Sequence, residues 1–435
     1  MTQSPAFDHA TRASAPKPRP KPFPAARPLH HTPQTASPAP KEPPMNRRTL
    51  LGTAPALALT AATLARPARA QTPTVKVAFL ATLSGPAAAL GTHLRDGWLL
   101  AAKELDNKLG GLPLETIILD DELKPEIALT KVRAALERDK VDAVAGIVFS
   151  NILQAIFRPV TEAQTILLSA NAGPSTFAGK GCSPYFYTTS YQNDQPHATM
   201  GQFAQDSGYK RVVVMVPNYQ AGKDSVNGFK SRYKGEVVDE IYVPLTQLDF
   251  SAELAKIASL KPDAIFTFMP GGLGVNLVRQ YRQAGLANIP FLSAFTVDEA
   301  TLPAQGDAAL GFYTAGTWAP DFPNPRNQAF VKAFEAAYNY VPASYAAQAY
   351  DAAFLLDGAI RTAGGKSDKA ALRAAMEKAP FTSVRGPFKF GVNHYPVQDL
   401  WLAKVTKRPD GKYATEAVKK VLSNDIDPYA QECRM

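Results

Sequence analysis

The sequence is poor in the residues that most often carry catalysis or bind metals. It contains six histidines and two cysteines in 435 residues. After residue 70 the histidines are His93, His197 and His394, and their wide spacing indicates neither a metal cluster nor a histidine-based triad. The Gly-x-Ser-x-Gly motif of many hydrolases is absent. We therefore expect no enzymatic activity, no metal and no other cofactor.

The glycine-rich segments fit nucleotide-binding loops poorly. Gly173–Gly181 (GPSTFAGKG) has five residues between the glycines where a phosphate loop has four. Gly272-Leu273-Gly274 follows a predicted strand, but Leu277 occupies the position of the third glycine in a dinucleotide fingerprint. Both segments are better interpreted as turns.

A basic surface on the folded part of the chain is also missing. The formal charge is +9, yet residues 1–70 contain ten Lys/Arg and two Asp/Glu, so they account for +8 of it. The remaining chain carries +1, which excludes the basic footprint that a nucleic-acid partner requires.

The positive charge belongs to a leader. Arg47-Arg48 precede an apolar run, Leu50–Leu64, and Ala68-Arg69-Ala70 resembles a signal-peptidase site. Residues 45–70 are therefore predicted to be a signal peptide of the general or twin-arginine type, the alternative being an uncleaved anchor. Residues 1–44 contain twelve prolines and are predicted to be disordered, or untranslated if Met45 is the start. An exported chain would allow Cys182 and Cys433 to pair, although two free thiols remain the alternative.

The stretch from Val141 to Pro174 organises the predicted fold. An apolar run, Ala143–Val148, predicts a buried strand, and Ser150 and Asn151 are good N-cap residues for the amphipathic helix that follows. A second buried strand, Thr165–Leu168, completes a β-α-β unit. The alternation continues before and after this unit, with further predicted strands at Arg211–Pro217 and Ala264–Met269, a break around Tyr185–Ser190 and an irregular tail to Met435. It predicts an α/β protein of two doubly wound lobes with parallel central sheets.

Polar and aromatic residues follow the predicted strands. Because the carboxyl ends of parallel strands share one edge of a sheet, they predict a binding site there. A helix N-terminus has free N–H groups and a partial positive charge, so a carboxylate at Ser150–Asn151 needs no arginine. The candidate ligand-binding residues are Ser84, Ser150, Asn151, Asn171, Ala172, Gly173, Tyr219, Met269, Pro270, Phe295, Thr296 and Trp318.

Several segments give the chain a family resemblance. VKVAFLATLSGPAAALG (residues 75–91), KPEIALTKVRAALERDKVDAVAGIVFSN (124–151), NYQAGKD (218–224) and FSAELAKIASLKPDAIF (250–266) resemble the substrate-binding proteins of ABC transporters of the branched-chain amino acid type. The resemblance extends over about residues 75–420. It implies the type I periplasmic binding fold, with a hinge, a ligand in the cleft and closure on binding.

The resemblance also implies a domain organisation. Lobe 1 is expected to comprise residues 71–190 and 322–396, and lobe 2 residues 191–321 and 397–435. A periplasmic location, a small carboxylate ligand, an ABC permease as partner and a monomeric state are further expectations. A receptor domain for ligand sensing is the alternative function.

By the same resemblance, Ser150 and Ala172-Gly173 hold the ligand carboxylate. The sequence departs from amino-acid binders in the second lobe, where Ala221 replaces the usual tyrosine and Phe295-Thr296 replace the acidic partner of an ammonium group. A buried ammonium without a carboxylate is costly. SPYFYTTSYQND (residues 183–194) resembles the subgroup that captures aromatic acids, so a hydroxybenzoate- or phenylpropenoate-like acid is favoured over a branched-chain amino acid.

Overall fold

The computed structural model describes residues 73–366, 368–378 and 380–435. The predicted proline-rich extension (residues 1–44) and signal peptide (residues 45–70) lie outside the described residues. Within the described ranges, none of the helices combines the length and the apolar character needed to cross a bilayer.

Strands and helices alternate along most of the chain. The strands are β1 (Val75–Ala81), β2 (Lys108–Leu109), β3 (Leu112–Asp120), β4 (Ala143–Gly146), β5 (Ile166–Ser169), β6 (Phe186–Thr188), β7 (Arg211–Pro217), β8 (Glu236–Val243), β9 (Ala264–Thr267), β10 (Phe291–Ser293), β11 (Tyr313–Gly316), β12 (Lys389–Phe390), β13 (Pro396–Lys407) and β14 (Tyr413–Asp425). The helices are α1 (Ala88–Glu104), α2 (Pro125–Ala134), α3 (Ser150–Glu162), α4 (Asp194–Asp206), α5 (Gln220–Arg232), α6 (Ser251–Leu260), α7 (Gly272–Gln283), α8 (Leu302–Gln305), α9 (Pro325–Tyr338), α10 (Ser344–Thr362) and α11 (Lys369–Glu377).

The first sheet has the strand order β2-β3-β1-β4-β5-β6. All neighbours are parallel except the short pair β2 and β3. Strands β4, β5 and β6 are buried throughout because helices cover both faces of the sheet, as their continuous apolar runs indicate. On one face, Phe79 of β1 packs against Trp98 of α1 with ring centroids 5.2 Å apart.

The second sheet repeats this plan. Its parallel part has the order β8-β7-β9-β10-β11, and β13 pairs antiparallel with β11 and carries β12 and β14. In both sheets the first strand in sequence therefore lies between the second and the third of the parallel set. The predicted α/β class with parallel central sheets is confirmed. Ligands bind at the carboxyl edge of such sheets, where the strand order reverses.

Three helices late in the chain return to the first sheet. Phe330 and Phe334 of α9, Tyr350 of α10 and Leu372 of α11 belong to the same buried cluster as Phe79 of β1. The chain therefore covers its first sheet with segments from both ends of the described sequence, whereas the lobe boundaries given above stay a prediction.

Two parts of the chain differ from the sequence prediction. Residues 185–190 were expected to interrupt the pattern, yet they contain β6, a three-residue strand too short to show a period. The segment before Met435 was expected to be irregular, yet β14 forms a long antiparallel pair with β13. Its exposed charged residues, Glu416, Lys419 and Lys420, are typical of an edge strand and hide the β pattern.

A disulfide joins the two cysteines. Cys182 and Cys433 are bonded to one another, 251 residues apart in sequence. The predicted pairing is therefore confirmed. The bond attaches the last residues of the chain to the segment before β6.

Candidate functional site

A cavity lies where the carboxyl ends of the two sheets face each other. The cavity is narrow: the space inside it that the centre of a water molecule can occupy is about 20 Å³. Most of its wall comes from the loops that follow β4, β5, β6, β7, β9 and β10, and helices complete it. The lining residues are Leu90, Val148, Phe149, Ser150, Asn171, Ala172, Tyr191, Asn193, His197, Tyr219, Ala221, Phe268, Pro270, Phe295 and Tyr345.

The N-terminus of α3 forms the polar end of the cavity wall. The helix begins at Ser150, and its N-cap is Phe149 in an extended conformation without a side-chain cap. The prediction that Ser150 or Asn151 caps this helix is therefore wrong. Because the helix begins at Ser150, the backbone N–H groups of its first turn have no partner within the helix and carry the positive end of its dipole. This arrangement suits a carboxylate.

A hydrogen-bonded network connects Ser150 to the second sheet. Asn193 donates from Nδ2 to Ser150 Oγ (3.1 Å) and to Asp224 Oδ2 of α5 (2.9 Å). Ser175, in the loop after β5, donates from Oγ to Asp224 Oδ1 (2.7 Å). The polar end of the cavity and a contact between elements of both sheets therefore share Asn193 and Asp224.

Asn171 fixes an aromatic wall. Its Nδ2 donates to the carbonyl of Val148 (2.7 Å), and its Oδ1 accepts a hydrogen bond from the Tyr191 hydroxyl (2.9 Å). The Tyr191 ring stacks on Phe295, with centroids 4.9 Å apart. Phe295 adopts a φ of 57°, which is uncommon for a bulky residue and typical of functional loops held by their surroundings. Asn171 therefore orients this wall, and both ends of its amide are occupied within the protein.

Further aromatic rings line the cavity beside these polar groups. The ring centroid of Tyr219 lies 6.3 Å from those of both Phe149 and Phe268. The ring centroids of Phe295 and Tyr345 are 6.4 Å apart. Rings arranged in this way suit a flat apolar body, because aromatic pairs prefer offset or edge-to-face contacts at such distances.

The lining side chains carry no formal charge. None of the residues that line the cavity is an aspartate, glutamate, lysine or arginine. Its one imidazole, His197, is buried, and burial lowers its pKa to about 3, so that the ring is neutral at ordinary pH. An anionic group could use the free N–H groups at α3, whereas an ammonium group would find no counter-ion in this wall.

Half of the predicted ligand-binding residues lie in the cavity wall. These are Ser150, Asn171, Ala172, Tyr219, Pro270 and Phe295. The structure places the other six outside it: Ser84, Asn151, Gly173, Met269, Thr296 and Trp318.

The reasons for these differences are local. Met269 is buried in the core behind β9 and Phe268 takes its place, because successive side chains of an extended segment point to opposite sides. Thr296 supports this loop by accepting a hydrogen bond from the N–H of Met269 (2.9 Å). Gly173 lies behind the wall, and its N–H donates to Asn193 Oδ1 (3.1 Å).

The remaining three also lie outside this cavity. Ser84 is exposed in the loop after β1, and Asn151 of α3 is half-buried. Trp318 lines a neighbouring cavity with Asp298, and its indole N–H donates to Asn327 Oδ1 (2.6 Å).

Sequence reasoning missed several lining residues. Tyr191, Asn193 and His197 were not selected, because β6 was not recognised and its carboxyl end therefore could not be located. Phe149 and Tyr345 carry no distinctive local pattern, since an apolar residue before a helix or inside one usually belongs to the core. The segment 183–194 was the available signal, through its resemblance to aromatic-acid binders.

The fold and the cavity define a class of protein: solute-binding proteins with two α/β lobes and a ligand site at the facing sheet edges. The family model described as "Periplasmic binding protein" matches residues 74–412, and the chain belongs to this family. It is a periplasmic solute-binding protein of an ABC transporter, a component that binds a small molecule and interacts with a permease. The family consists of binding proteins, not of enzymes.

Curated relatives are identical to the chain at somewhat more than a quarter of the aligned residues. Leu/Ile/Val-binding protein homolog 6 of Brucella melitensis is 29% identical over 356 residues, which are 79% of this chain and 91% of the relative. The leucine-, isoleucine-, valine-, threonine- and alanine-binding protein of Pseudomonas aeruginosa is 26% identical, over 73% of this chain and 86% of its own.

Solved structures include complexes with aromatic acids. A solute-binding protein of an ABC transporter from Rhodopseudomonas palustris, in complex with benzoate, is 33% identical with a TM-score of 0.79, covering 83% of this chain and 100% of its own. Another, from Rhodopseudomonas palustris BisB5 with 3,4-dihydroxybenzoic acid, is 30% identical with a TM-score of 0.77, covering 82% and 99%.

Proposed function

We propose that the protein captures a small aromatic carboxylate, of the hydroxybenzoate or phenylpropenoate type, and delivers it to an ABC permease. The observation that carries this proposal is a cavity wall of aromatic rings and uncharged polar groups next to the N-terminus of α3. The carboxylate accepts hydrogen bonds from the first-turn N–H groups and from Ser150 Oγ. The ring lies among Phe149, Tyr191, Phe268 and Phe295.

The absence of an acidic side chain from this wall argues against an amino acid. A ligand ammonium would be buried without a paired carboxylate, which costs several kcal/mol or forces it to lose its proton. Asp224 lies behind Asn193, and its oxygens already accept hydrogen bonds from Ser175, Asn193 and Gln220. The solved relatives with benzoate and 3,4-dihydroxybenzoic acid support the same ligand class.

Binding of a branched-chain or other hydrophobic amino acid is the second candidate. It is favoured by the names of the Brucella melitensis and Pseudomonas aeruginosa relatives, which are 29% and 26% identical. The cavity would then have to accept the ammonium through hydroxyl and carbonyl oxygens alone. A ligand-sensing receptor domain is a further alternative.

The remaining parts of the proposal concern organisation and export. Lobe 1 comprises residues 71–190 and 322–396, and lobe 2 residues 191–321 and 397–435. The strands of the first sheet all fall within residues 75–188 and those of the second within 211–425, which supports this division except at β12 (Lys389–Phe390), a strand of the second sheet that falls within the range given for lobe 1. The protein acts as a monomer, and residues 45–70 direct its export through a general or twin-arginine signal.

A thermal-shift screen tests the ligand class. The mature protein is heated with benzoate, 4-hydroxybenzoate, 4-coumarate, leucine or valine, each at about 1 mM, since a ligand that binds only the folded state raises the melting temperature. We expect a rise with one or more aromatic acids and none with the amino acids. A rise with leucine and none with any aromatic acid would replace the first proposal by the second.

A further inference from the structure

One buried polar group of the cavity wall has no partner. His197 lies in the first two turns of α4, lines the cavity and is 1% exposed. Its Nδ1 is buried and has no hydrogen-bond partner among the described residues. Leaving such a nitrogen unpaired costs about 1–3 kcal/mol, and most buried polar side-chain atoms are paired.

Three other polar side chains that meet at this cavity, those of Ser150, Asn171 and Tyr191, are already engaged. Ser150 accepts from Asn193, Asn171 is bonded at both ends of its amide, and the Tyr191 hydroxyl donates to Asn171. His197 differs from them because its surroundings are apolar. Its ring lies 5.0 Å from Phe268, 5.8 Å from Phe266 and 6.4 Å from Phe295, measured between ring centroids.

The protonation state limits what His197 can bind. A neutral imidazole has one N–H donor and one acceptor nitrogen. Burial lowers the pKa of His197 to about 3, so the ring cannot serve as the cation for a carboxylate. A hydroxyl group, which both donates and accepts, can pair with either ring nitrogen whichever tautomer is present.

We propose that His197 is a specificity-determining residue that hydrogen-bonds a ring hydroxyl of the ligand, so that hydroxy-substituted aromatic acids are preferred to unsubstituted ones. This inference rests on the proposed aromatic-acid function. The carboxylate remains at the N-terminus of α3, the ring is held among the aromatic side chains, and the hydroxyl satisfies the free imidazole nitrogen.

Isothermal titration calorimetry of the mature protein with benzoate, 3-hydroxybenzoate and 4-hydroxybenzoate tests the inference. For the wild type we expect at least one hydroxybenzoate to bind about tenfold more tightly than benzoate, because one buried hydrogen bond is worth about 1–1.5 kcal/mol. For His197→Phe, which keeps an aromatic ring, we expect that preference to fall below about twofold while benzoate still binds.

Two further variants separate His197 from its neighbours. His93→Phe removes a buried imidazole of α1 that lies outside the cavity wall and should keep the preference for the hydroxylated acid. Tyr345→Phe removes a hydroxyl from the cavity wall. If Tyr345→Phe abolished the preference and His197→Phe kept it, the inference would be wrong.

A spectroscopic measurement covers the case in which His197→Phe does not fold. In the wild type labelled with ¹⁵N-histidine, the ring nitrogen signals of His197 should move with the hydroxylated acid and stay near their free positions with benzoate. Equal signals with both acids would overturn the inference. Tight benzoate binding without a hydroxyl preference would overturn it and leave the aromatic-acid function standing, whereas binding of leucine alone would overturn the function itself.

Discussion

Ser150 combines two roles at the residue scale. Its Oγ accepts from Asn193, and its hydroxyl and backbone N–H stand at the positive end of α3. A carboxylate held there gains charge-assisted hydrogen bonds, which are about twice as strong as neutral ones. This explains how the protein could bind an anion without an arginine or lysine in the cavity wall.

Removing either of two polar side chains should weaken ligand binding. We expect Ser150→Ala to weaken the binding free energy of the aromatic acid by about 1–3 kcal/mol, because a hydrogen bond to the ligand is lost. Asn171→Ala should have an effect of similar size, because it releases the Tyr191 hydroxyl and so loosens the wall. Calorimetric titration measures both.

The control for these variants is Ser84→Ala, a loop serine that is exposed and outside the cavity wall. Its dissociation constant should equal that of the wild type. Unchanged affinity in both Ser150→Ala and Asn171→Ala would show that the ligand binds elsewhere.

A buried carboxyl near the cavity should make stability depend on pH. Burial, reinforced by Glu299, raises the pKa of Asp298 to about 7. The pKa of this carboxyl in the unfolded chain is near 4. Between about pH 4 and about pH 7 the folded state therefore holds a proton that the unfolded state has released. The stabilisation from this group is complete at low pH and is lost as the pH rises.

The variant Asp298→Asn removes this titration. The difference in unfolding free energy, variant minus wild type, should be about 1–3 kcal/mol larger at pH 8 than at pH 5, since one pKa unit corresponds to about 1.4 kcal/mol. Urea unfolding at the two pH values measures the change, with the exposed Asp206→Asn as the control. An equal stability difference at both pH values would contradict the assignment.

At the scale of elements, the site depends on where strands end. The sequence predicted β4, β5, β7 and β9, and it therefore located Ser150, Asn171, Tyr219 and Pro270 close to their observed positions. It missed β6, and with it Tyr191, Asn193 and His197. Three buried residues cannot display an alternation, and their strand character comes from pairing with β5, which is a long-range property.

Which side chain of a loop reaches the cavity could not be predicted from the sequence either. Met269 and Phe268 are adjacent and both apolar. Only the backbone direction after β9 decides that Phe268 faces the cavity and that Met269 faces the core. The positive φ of Phe295 is likewise imposed by its surroundings, because bulky residues do not adopt it by preference.

The disulfide attaches the end of the chain to the segment before β6, in addition to the hydrogen bonds that Asn393 donates to Asp427 and Tyr429 donates to Asp194. Cys433 follows the short turn Ala430–Glu432, and Cys182 lies before β6. We expect the double variant Cys182→Ser, Cys433→Ser to lose about 2–5 kcal/mol of unfolding free energy, because a long closed loop restricts the unfolded chain. Urea unfolding of the variant and of the oxidised wild type measures this loss.

Ligand affinity provides the matched comparison for the disulfide variant. Neither cysteine lines the cavity, so the dissociation constant at a temperature where both proteins are folded should change by less than about threefold, the scale expected for a distant substitution. Equal stability of the two proteins would mean that the bond contributes nothing to the folded state.

At the scale of the whole molecule, the loops of the two sheets touch beside the cavity. The N–H of Gly272, at the start of α7, donates to the carbonyl of Pro86 in the loop after β1 (3.0 Å). A Cβ atom on Gly272 would lie 2.8 Å from Pro86 Cβ and 2.9 Å from its carbonyl oxygen. These contacts leave no room for a side chain at Gly272 while the two loops touch.

Gly272→Val should therefore oppose closure without altering a residue of the cavity wall. We expect it to weaken ligand binding by tenfold or more, on the order of 1.4 kcal/mol or above, because part of the binding energy must relieve the clash. It should also reduce the ligand-induced decrease in radius of gyration measured by small-angle scattering. Gly316→Ala is the control, since the added Cβ would meet only Trp318 O at 3.9 Å.

We propose that this cavity binds an aromatic acid and not an amino acid, because its wall contains aromatic rings and has no counter-ion for an ammonium group. The decisive measurement is isothermal titration calorimetry on one preparation of the mature protein, with 4-hydroxybenzoate and leucine titrated into separate ligand-free samples. We expect saturable binding of 4-hydroxybenzoate with one site per chain and no heat of binding from leucine. Saturable binding of leucine, with none of 4-hydroxybenzoate, would contradict it.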